Sequence, residues 1–181
     1  MDQTPASLDA MYERLAPRLL AFVRLKLGRS LRERLESRDI VQATLLKSWQ
    51  KQDEFKGHDS RALQGWLMRI AEREIFDRAD FHGRQQRDAR REEPVDEYHE
   101  LAARSRSVLS RLILDERAQR LEAAIETLPE AQREIILLRA FRELSFPEIA
   151  RTLGKSEDAS RMAYARAMTA LTLALSAADE P

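Results

Sequence analysis

Apolar residues recur every three or four positions along most of the chain, which is the spacing of one face of an α-helix. The first segment, from about Ser7 to Gln52, predicts amphipathic helices with a kink or break at Pro17. Its last helix is expected to begin near Asp39, after a Ser-Arg-Asp start signal. The face of this helix that is predicted to enter the core comprises Ile40, Val41, Thr44, Leu45, Ser48 and Trp49. A second, mostly polar stripe is available for a contact outside the core and comprises Asp39, Gln42, Ala43 and Leu46.

A loop over residues 55–60 leads into the next helix, which Ser60 is predicted to cap. This helix is expected over residues 61–81, with Gly83 ending it. Its predicted inward residues are Leu63, Trp66, Leu67 and Ile70. A second face carries Arg69, Arg73 and Asp77 at four-residue steps. The same spacing is that of a ladder of intrahelical ion pairs, so this alternative stays open.

Residues 84–100 change from basic to acidic around Pro94 and hold too few apolar side chains to fold alone, so they predict a linker. Helical periodicity returns from Leu101, stops at Leu128-Pro129, and resumes in a strongly apolar helix. Together these segments predict helices on both sides of a charged connection.

Near the end of the chain, Ser145 and Glu148 have the spacing of a capping box, which predicts a short helix ending at Gly154. Ser156 is then expected to cap a long last helix, whose predicted inward residues are Ser160, Tyr164, Ala167 and Leu171. Two helices joined by a tight turn have the spacing of a helix-turn-helix motif.

Composition favours the same fold class. The chain has 25 Leu and 25 Ala against 12 Val plus Ile, and only 11 Gly plus Pro. Helix formers therefore dominate, and the composition typical of sheets is missing. We predict an all-α protein with two small helical domains, residues 1–83 and 111–181, joined by a linker over residues 84–110.

Several classes of site are excluded by residue content. There is no cysteine, and the three histidines, His58, His82 and His99, have no partner at ligand spacing, so we expect no metal site, no cofactor and no enzymatic activity. The N-terminus does not have the pattern of a signal peptide, and the longest aliphatic run is four residues, whereas a membrane span needs about 20. A cytoplasmic protein is expected.

The net charge is zero, but arginine outnumbers lysine by 26 to 5. Planar guanidinium groups suit phosphate binding, and a GC-rich genome would produce the same bias. Both explanations of the arginine content stay open.

The motifs resemble a known family. Residues 39–49 (DIVQATLLKSW), followed by Phe55, Trp66-Leu67, Ile70-Ala71 and Asp77, resemble region 2 of sigma-70-type RNA polymerase sigma factors. Residues 128–138 (LPEAQREIILL), residues 144–150 (LSFPEIA), and Leu153-Gly154 with Ser156-Glu157 resemble region 4. Two such blocks with no domain between them look like the extracytoplasmic-function (ECF) subgroup.

This resemblance implies a promoter-recognition subunit that binds core polymerase at its β′ clamp and β flap. The implied contacts with a coiled coil of the clamp are Asp39, Gln42 and Leu46. Melting at the −10 element needs an apolar or aromatic pocket for an unstacked base and cations for phosphates. The residues implied there are Phe55, His58, Arg69, Arg73, Arg78 and Arg84.

The last helix, by the same resemblance, enters the major groove at the −35 element. Its implied contacts are Ser156, Glu157, Ala159, Arg161, Met162 and Arg166. Ala163, Met168 and Ala170 stand where relatives often carry basic residues. Fewer cations predict weaker −35 binding with a shallower salt dependence, recognition of a different element, or reliance on the polymerase to hold this region in place. The family also implies an inhibitory anti-sigma protein or domain.

Two alternatives remain at this point. Asp39 alone could be explained as the N-cap of its helix. The whole chain could instead be an autonomous helix-turn-helix regulator that binds duplex DNA without polymerase. Its zero net charge argues against tight unaided DNA binding, and the stripe at Asp39 would then have no purpose.

Overall fold

A computed structural model describes residues 8–57, 59–85 and 116–178, together with the single positions 103, 105 and 108. Every regular element in these residues is helical, which confirms the predicted all-α class. The chain divides into two compact units, Met1–Ile113 and Leu114–Pro181. No helix in the described ranges is long and apolar enough to cross a membrane.

In residues 8–85 the described helices of the first unit are α1 (Leu8–Arg32), α2 (Ser37–Gln50) and α3 (Ser60–Gln85), and a short 3₁₀ turn (Gln52–Glu54) follows α2. Each helix packs on the other two. Their shared core contains Leu19, Phe22, Ile40, Leu45, Leu63 and Leu67. The rings of Tyr12 and Trp49 also meet in it, with centroids 5.1 Å apart.

The break in α1 does not lie where the sequence predicted it. Pro17 is exposed within a continuous helical stretch, whereas Gly28 has non-helical angles (φ 60°, ψ 179°). Proline has no backbone N–H, so α1 continues through Pro17 with one intrahelical hydrogen bond fewer. A positive φ strains residues with a side chain, so the break falls at glycine.

Both predicted ends of α3 are wrong. Asp59, not Ser60, caps the helix, because its Oδ1 accepts a hydrogen bond from the Ala62 N–H at 2.7 Å. The helix also continues through Gly83 to Gln85. A glycine costs a helix only about 1 kcal/mol, so it ends one only where the backbone takes a left-handed turn.

The inward face of α3 is also rotated from the predicted one. Leu63 and Leu67 are buried as expected, but Trp66 and Ile70 are only half-buried. Because α3 packs on both α1 and α2, its buried stripe is wide and also includes Gln64, Met68, Ala71 and Glu74. Two ion pairs tie α3 to its neighbours: Lys26 Nζ lies 3.3 Å from Glu72 Oε1, and Lys47 of α2 pairs with the buried Glu74.

The second unit comprises α4 (Glu116–Thr127), α5 (Glu130–Ile136), α6 (Phe146–Leu153) and α7 (Glu157–Ala178), and a π-helical turn (Leu137–Phe141) continues α5. The predicted stop at Leu128-Pro129 is confirmed. The long α7 packs on α4, α5 and α6.

The capping and turn residues predicted for the helix-turn-helix have these roles in the structure. The Glu148 carboxylate accepts hydrogen bonds from the backbone N–H of Ser145 at 2.7 Å and from its hydroxyl at 2.6 Å. The Ser145 side chain in turn accepts from the Glu148 backbone N–H, which completes the capping box. Gly154 ends α6 in the left-handed conformation (φ 63°, ψ 35°). Ser156 Oγ then accepts the Ala159 N–H at 3.1 Å, and α7 begins.

Three of the four predicted inward residues of α7 are buried, namely Ser160, Ala167 and Leu171. The Ser160 hydroxyl donates to the Ser156 carbonyl oxygen at 3.0 Å, which explains how a serine is accommodated in the core. Tyr164 is only half-buried, because its ring meets Phe146 at the rim of the core, with centroids 5.9 Å apart.

Most of the predicted linker lies outside the described residues. Within it, Ser105 and Val108 are helical and buried, so this part packs against the protein. The domain limits 1–83, 84–110 and 111–181 stay a prediction.

Candidate polymerase and nucleic-acid interfaces

The outer stripe of α2 has the predicted composition. All six predicted core residues of this helix are buried, so the stripe faces away from the core. Asp39 is exposed, and Gln42, Ala43 and Leu46 are half-buried along successive turns. Together they form a narrow surface with one carboxylate, one amide and an apolar centre.

The alternative explanation of Asp39 as the helix N-cap is wrong. Glu36 occupies the N-cap position, and Asp39 lies in the first turn, with its N–H 3.1 Å from the Glu36 carbonyl oxygen. No residue in the described ranges pairs with the Asp39 carboxylate. Its negative charge is favoured by the helix dipole and is free to meet a partner.

A groove of about 420 Å³ lies between the C-terminal half of α2 and the first half of α3. The half-buried Trp66 and Ile70 give it an apolar floor. Its charged lining residues are Lys47, Lys51, Glu54, Arg69, Arg73 and Glu74, with Gln50 between them. Lys47 pairs with Glu74 and Lys51 with Glu54, which leaves the two arginines as the excess positive charge.

Arg69 and Arg73 are exposed, and neither forms an ion pair with a described residue. The alternative of a ladder with Asp77 is therefore wrong. The four arginines predicted for the −10 element do not form one set, because Arg78 is half-buried and lies roughly 180° around the helix from Arg69. Arg84 falls in the last turn of α3, and its side chain lies outside the described part.

The loop before α3 holds Phe55 against the protein. Its ring is half-buried and stacks on Trp66, with centroids 5.2 Å apart and planes inclined by 31°. Gly57 makes this possible, since a Cβ there would lie 2.5 Å from Phe55 Cζ. One face of the Phe55 ring is therefore packed against Trp66 and is not exposed to solvent. His58, the other residue predicted in this loop, lies outside the described residues.

At the start of α7, Arg161 is held by two contacts. It forms an ion pair with Glu157 one turn earlier, and its Cζ lies 4.7 Å from the centroid of the Phe146 ring. Arg139 approaches the same ring at 5.0 Å and donates a hydrogen bond to the Leu144 carbonyl oxygen at 2.9 Å. Cation–π contacts of this kind restrict guanidinium rotation, so the Arg161 head group is pre-oriented.

The other residues predicted for the −35 element are spread along the outer side of α7. Ala159, Met162 and Arg166 are exposed, and Ser156 is exposed although its hydroxyl caps the helix. Arg166 has no ion-pair partner among the described residues. The helix therefore presents two arginines, one held and one free, with small or apolar residues between them.

Sequence reasoning missed three features of these surfaces. It did not place Lys47 and Lys51 beside the arginines of α3, because that proximity arises from the packing of α2 on α3. It did not identify Phe146 as the ring between Arg139 and Arg161. It also passed over Phe76, although the seven-residue spacing from Arg69 marks both as one face of a helix.

The described ranges contain no group of three or more His, Cys, Asp or Glu residues that could hold a metal ion. The candidate binding surfaces in these ranges are an acidic and apolar stripe, a groove with excess positive charge, and a helix-turn-helix. These are features of binding surfaces for protein and nucleic acid.

Comparison with known proteins agrees with these features. Residues 11–86 match the family described as Sigma-70 region 2, and residues 118–171 match Sigma-70, region 4. A protein of Alcaligenes xylosoxydans xylosoxydans described as RNA polymerase sigma factor NccH is 33% identical over 141 residues, which cover 76% of this chain and 72% of that protein. The sigma factor RpoE of Bartonella quintana, solved in complex with the anti-sigma factor NepR, is 25% identical with a TM-score of 0.49, and the alignment covers 90% of this chain and 92% of that one. The chain thus belongs to the sigma-70 family of RNA polymerase sigma factors, in its ECF subgroup.

Proposed function

We propose that the α2 stripe is the surface by which this sigma factor binds the β′ clamp of core polymerase. The observation that carries the proposal is the outward line of Asp39, Gln42 and Leu46, whose carboxylate has no described partner and no capping role. A free charge beside a half-buried leucine suits a protein contact with an apolar centre and a polar rim.

We further propose that the groove and the exposed arginines of α3 bind the −10 element. Arg69 and Arg73 supply unpaired cations for phosphates, and Trp66 with Ile70 supplies an apolar floor for an unstacked base. Phe55 acts by supporting Trp66 from the loop side. Arg78 lies on the opposite side of α3 from Arg69, so we do not include it among the proposed −10 contacts.

In the second unit we propose that α7 reads the −35 element in the major groove. Arg161, pre-oriented by Phe146, suits a bidentate contact with a base, whereas the unrestrained Arg166 suits a phosphate. The β flap is the proposed polymerase contact of this unit. We also propose that an inhibitory anti-sigma protein binds this chain, as in the Bartonella quintana complex. We further propose that the protein acts in the cytoplasm, and that it acts by binding and not by catalysis.

The clamp proposal is tested by pulling down core polymerase with a tagged full-length chain. The double variant Asp39→Arg, Gln42→Arg should lose most polymerase binding, because changes at central interface contacts commonly cost about 2 kcal/mol or more. The matched control is Glu33→Arg, Gln52→Arg, which makes the same chemical changes at exposed positions outside the stripe. Equal recovery of polymerase by the two variants would refute the assignment.

The promoter proposal is tested by transcription from two promoters that differ at the −35 element. Arg161→Ala should cost about 1–3 kcal/mol in promoter preference if the side chain contacts a base. Arg166→Ala should weaken both promoters equally, as expected for a phosphate contact. If Arg161→Ala also weakens both equally, the base contact is wrong.

A further inference from the structure

Phe76, in the C-terminal half of α3, is the most exposed large apolar side chain among the described residues, at 70% of its full accessible area. A single exposed aromatic residue is ordinary on a protein surface. Here, however, charged residues of opposite sign flank the ring along the helix. The order of these charges indicates what can cover it.

Positive and negative charges lie on opposite sides of Phe76. Arg73 precedes the ring by about 4.5 Å along the helix axis, and Asp77 and Asp80 follow it by about 1.5 and 6 Å. All three charged side chains are exposed, and neither Arg73 nor Asp77 forms an ion pair with a described residue. Around the helix, Arg73 and Asp80 point about 60° and 40° from Phe76 in the same direction, and Asp77 about 100°. The charges therefore form one edge of an exposed helix face that is centred on Phe76.

This face is complementary to itself. When two identical helices pack antiparallel about a two-fold axis, a residue before the axis on one helix lies beside the residues equally far after it on the other. With the axis at Phe76, the two rings meet at the centre. Arg73 of each copy then lies at a level between Asp77 and Asp80 of the other copy, on the same edge. Each arginine thus gains two carboxylates, and the contact occurs twice.

Charge also favours a second copy over other occupants of this face. The chain has 31 basic and 31 acidic residues, so two copies do not repel each other at long range. A uniformly basic or uniformly acidic partner would be attracted at one end of the face and repelled at the other. A second copy is attracted at both ends.

We propose that a second copy of this chain docks antiparallel on this face of α3, with Phe76 against Phe76 and Arg73 against Asp77 and Asp80. One helix face buries less area than the about 1,200 Å² at the lower end of standard interfaces, so the dimer is transient. We expect it at concentrations on the order of 100 µM.

The dimer has a consequence for DNA binding, and this consequence rests on the proposed −10 function of α3. Arg73 is one of the two arginines proposed to bind phosphates of the −10 element. In the dimer its guanidinium is covered and neutralised by the carboxylates of the second copy. The chain therefore cannot hold a second copy and the −10 element on α3 at the same time.

Sedimentation velocity of the full-length chain measures the association, over about 5 to 500 µM because a small interface is weak. The unmodified chain should shift towards the dimer across this range, and added salt should reverse the shift, because the ionic contacts are exposed. Phe76→Ala should weaken the association about tenfold or more, because the ring lies at the centre of the interface. The matched control is Leu173→Ala on α7, which removes an apolar side chain of similar exposure (67%) and should associate like the unmodified chain.

Exchange of charges identifies the face and its orientation. Arg73→Asp places an acid opposite two acids, and the double variant Asp77→Arg, Asp80→Arg places two arginines opposite one, so each variant alone should stay monomeric. An equimolar mixture of the two variants should form a dimer again, because every contact then joins opposite charges. The matched control Arg14→Asp makes the same change at an exposed position of α1 and should associate like the unmodified chain.

Three results would overturn the docking. The unmodified chain could stay monomeric over the whole range, Arg73→Asp alone could associate like the unmodified chain, or the mixture could fail to recover the dimer. In the second and third cases the copies would meet through another surface.

A saturating single strand of DNA separates this inference from the proposed −10 function. The strand should convert the dimer to a DNA-bound monomer, because both need Arg73. If the charge exchange succeeds and the strand leaves the dimer intact, the docking stands and the −10 function of α3 is wrong. If Arg73→Asp loses binding to the strand and the unmodified chain never associates, the −10 function stands and the docking is wrong.

Discussion

Replacing Gly57 with alanine tests how the loop before α3 is packed. The added Cβ would lie 2.5 Å from Phe55 Cζ and 2.6 Å from the Ala62 Cβ. Carbon atoms in contact prefer about 3.5–4.0 Å, so the ring and the start of α3 must separate by roughly 1 Å. Because the Phe55 ring stacks on Trp66, this movement also disturbs the aromatic pair.

The expected loss of stability follows from these two contacts. Inserting a methyl group into a packed site costs about 1–3 kcal/mol, and an aromatic pair contributes about 0.5–1.5 kcal/mol beyond its buried area. We therefore expect Gly57→Ala to lower the unfolding free energy of the first unit by about 1–3 kcal/mol. In a unit of this size, each kcal/mol lowers the melting temperature by about 4–8 °C.

Tryptophan fluorescence during urea unfolding isolates this effect. The two tryptophans of the chain, Trp49 and Trp66, lie in α2 and α3, so the signal follows the first unit alone. The matched control is Gly28→Ala, where no atom lies within 4 Å but φ is 60°. It should cost about 1–3 kcal/mol, because φ 60° with ψ 179° is a backbone conformation that residues with a Cβ rarely adopt, and it should leave the native emission unchanged.

Only Gly57→Ala should therefore change both the urea midpoint and the native emission, because Phe55 shifts against the Trp66 indole. Adding Phe55→Leu should recover part of the lost stability, since a smaller side chain gives way to the methyl group. An unchanged midpoint and emission in Gly57→Ala would refute this description of the loop.

Two further predictions concern an ion pair and a capping box. Lys47→Met leaves the buried Glu74 carboxylate without its partner and should lower the unfolding free energy of the first unit by about 1–2 kcal/mol, a value reduced because the lysine itself is half-exposed. Lys51→Met should lower it by less than about 0.5 kcal/mol, because the partner Glu54 is exposed. Urea unfolding of each variant measures both values. In the second unit, hydrogen bonds from the Ser145 hydroxyl and N–H lower the pKa of Glu148 below its usual 4.5, so the capping box stabilises α6 above that pH and loses this contribution as pH falls through the lowered pKa. Helical circular dichroism during acid titration should show a shallower loss in Glu148→Gln than in the unmodified chain, because glutamine keeps an acceptor that does not titrate; an identical titration would contradict the role of this carboxylate.

Local signals were accurate in the helix-turn-helix, whereas the cap at Ser60 and the end at Gly83 predicted for α3 were wrong. The capping box, the Ser156 cap and the turn at Gly154 all involve contacts over three or four residues, so the sequence alone contains both partners. The two faces of α2 were also predicted correctly. That helix packs on α1 and α3 with a single continuous stripe, and helical periodicity describes such a stripe well.

Predictions failed where residues of one helix were assigned to one face by residue type. Trp66 is apolar and was expected in the core, but the buried stripe of α3 centres on other residues. The indole is left at a groove rim with Phe55 stacked on it. Similarly, Arg78 was grouped with Arg69 and Arg73 by residue type, although the helix turns it to the other side.

The helical class, the family and the order of regions 2 and 4 could be predicted without a structure, because they depend on periodicity and on motifs that are contiguous in the chain. Packing between helices decided whether a charge without a partner on its own helix is neutralised. Lys47 meets Glu74 of α3, while Arg69, Arg73 and Arg166 find no partner among the described residues. The physical reason is that a charge is neutralised by whatever packing brings within a few ångströms, and for Lys47 that partner lies on another helix, 27 residues away in the chain.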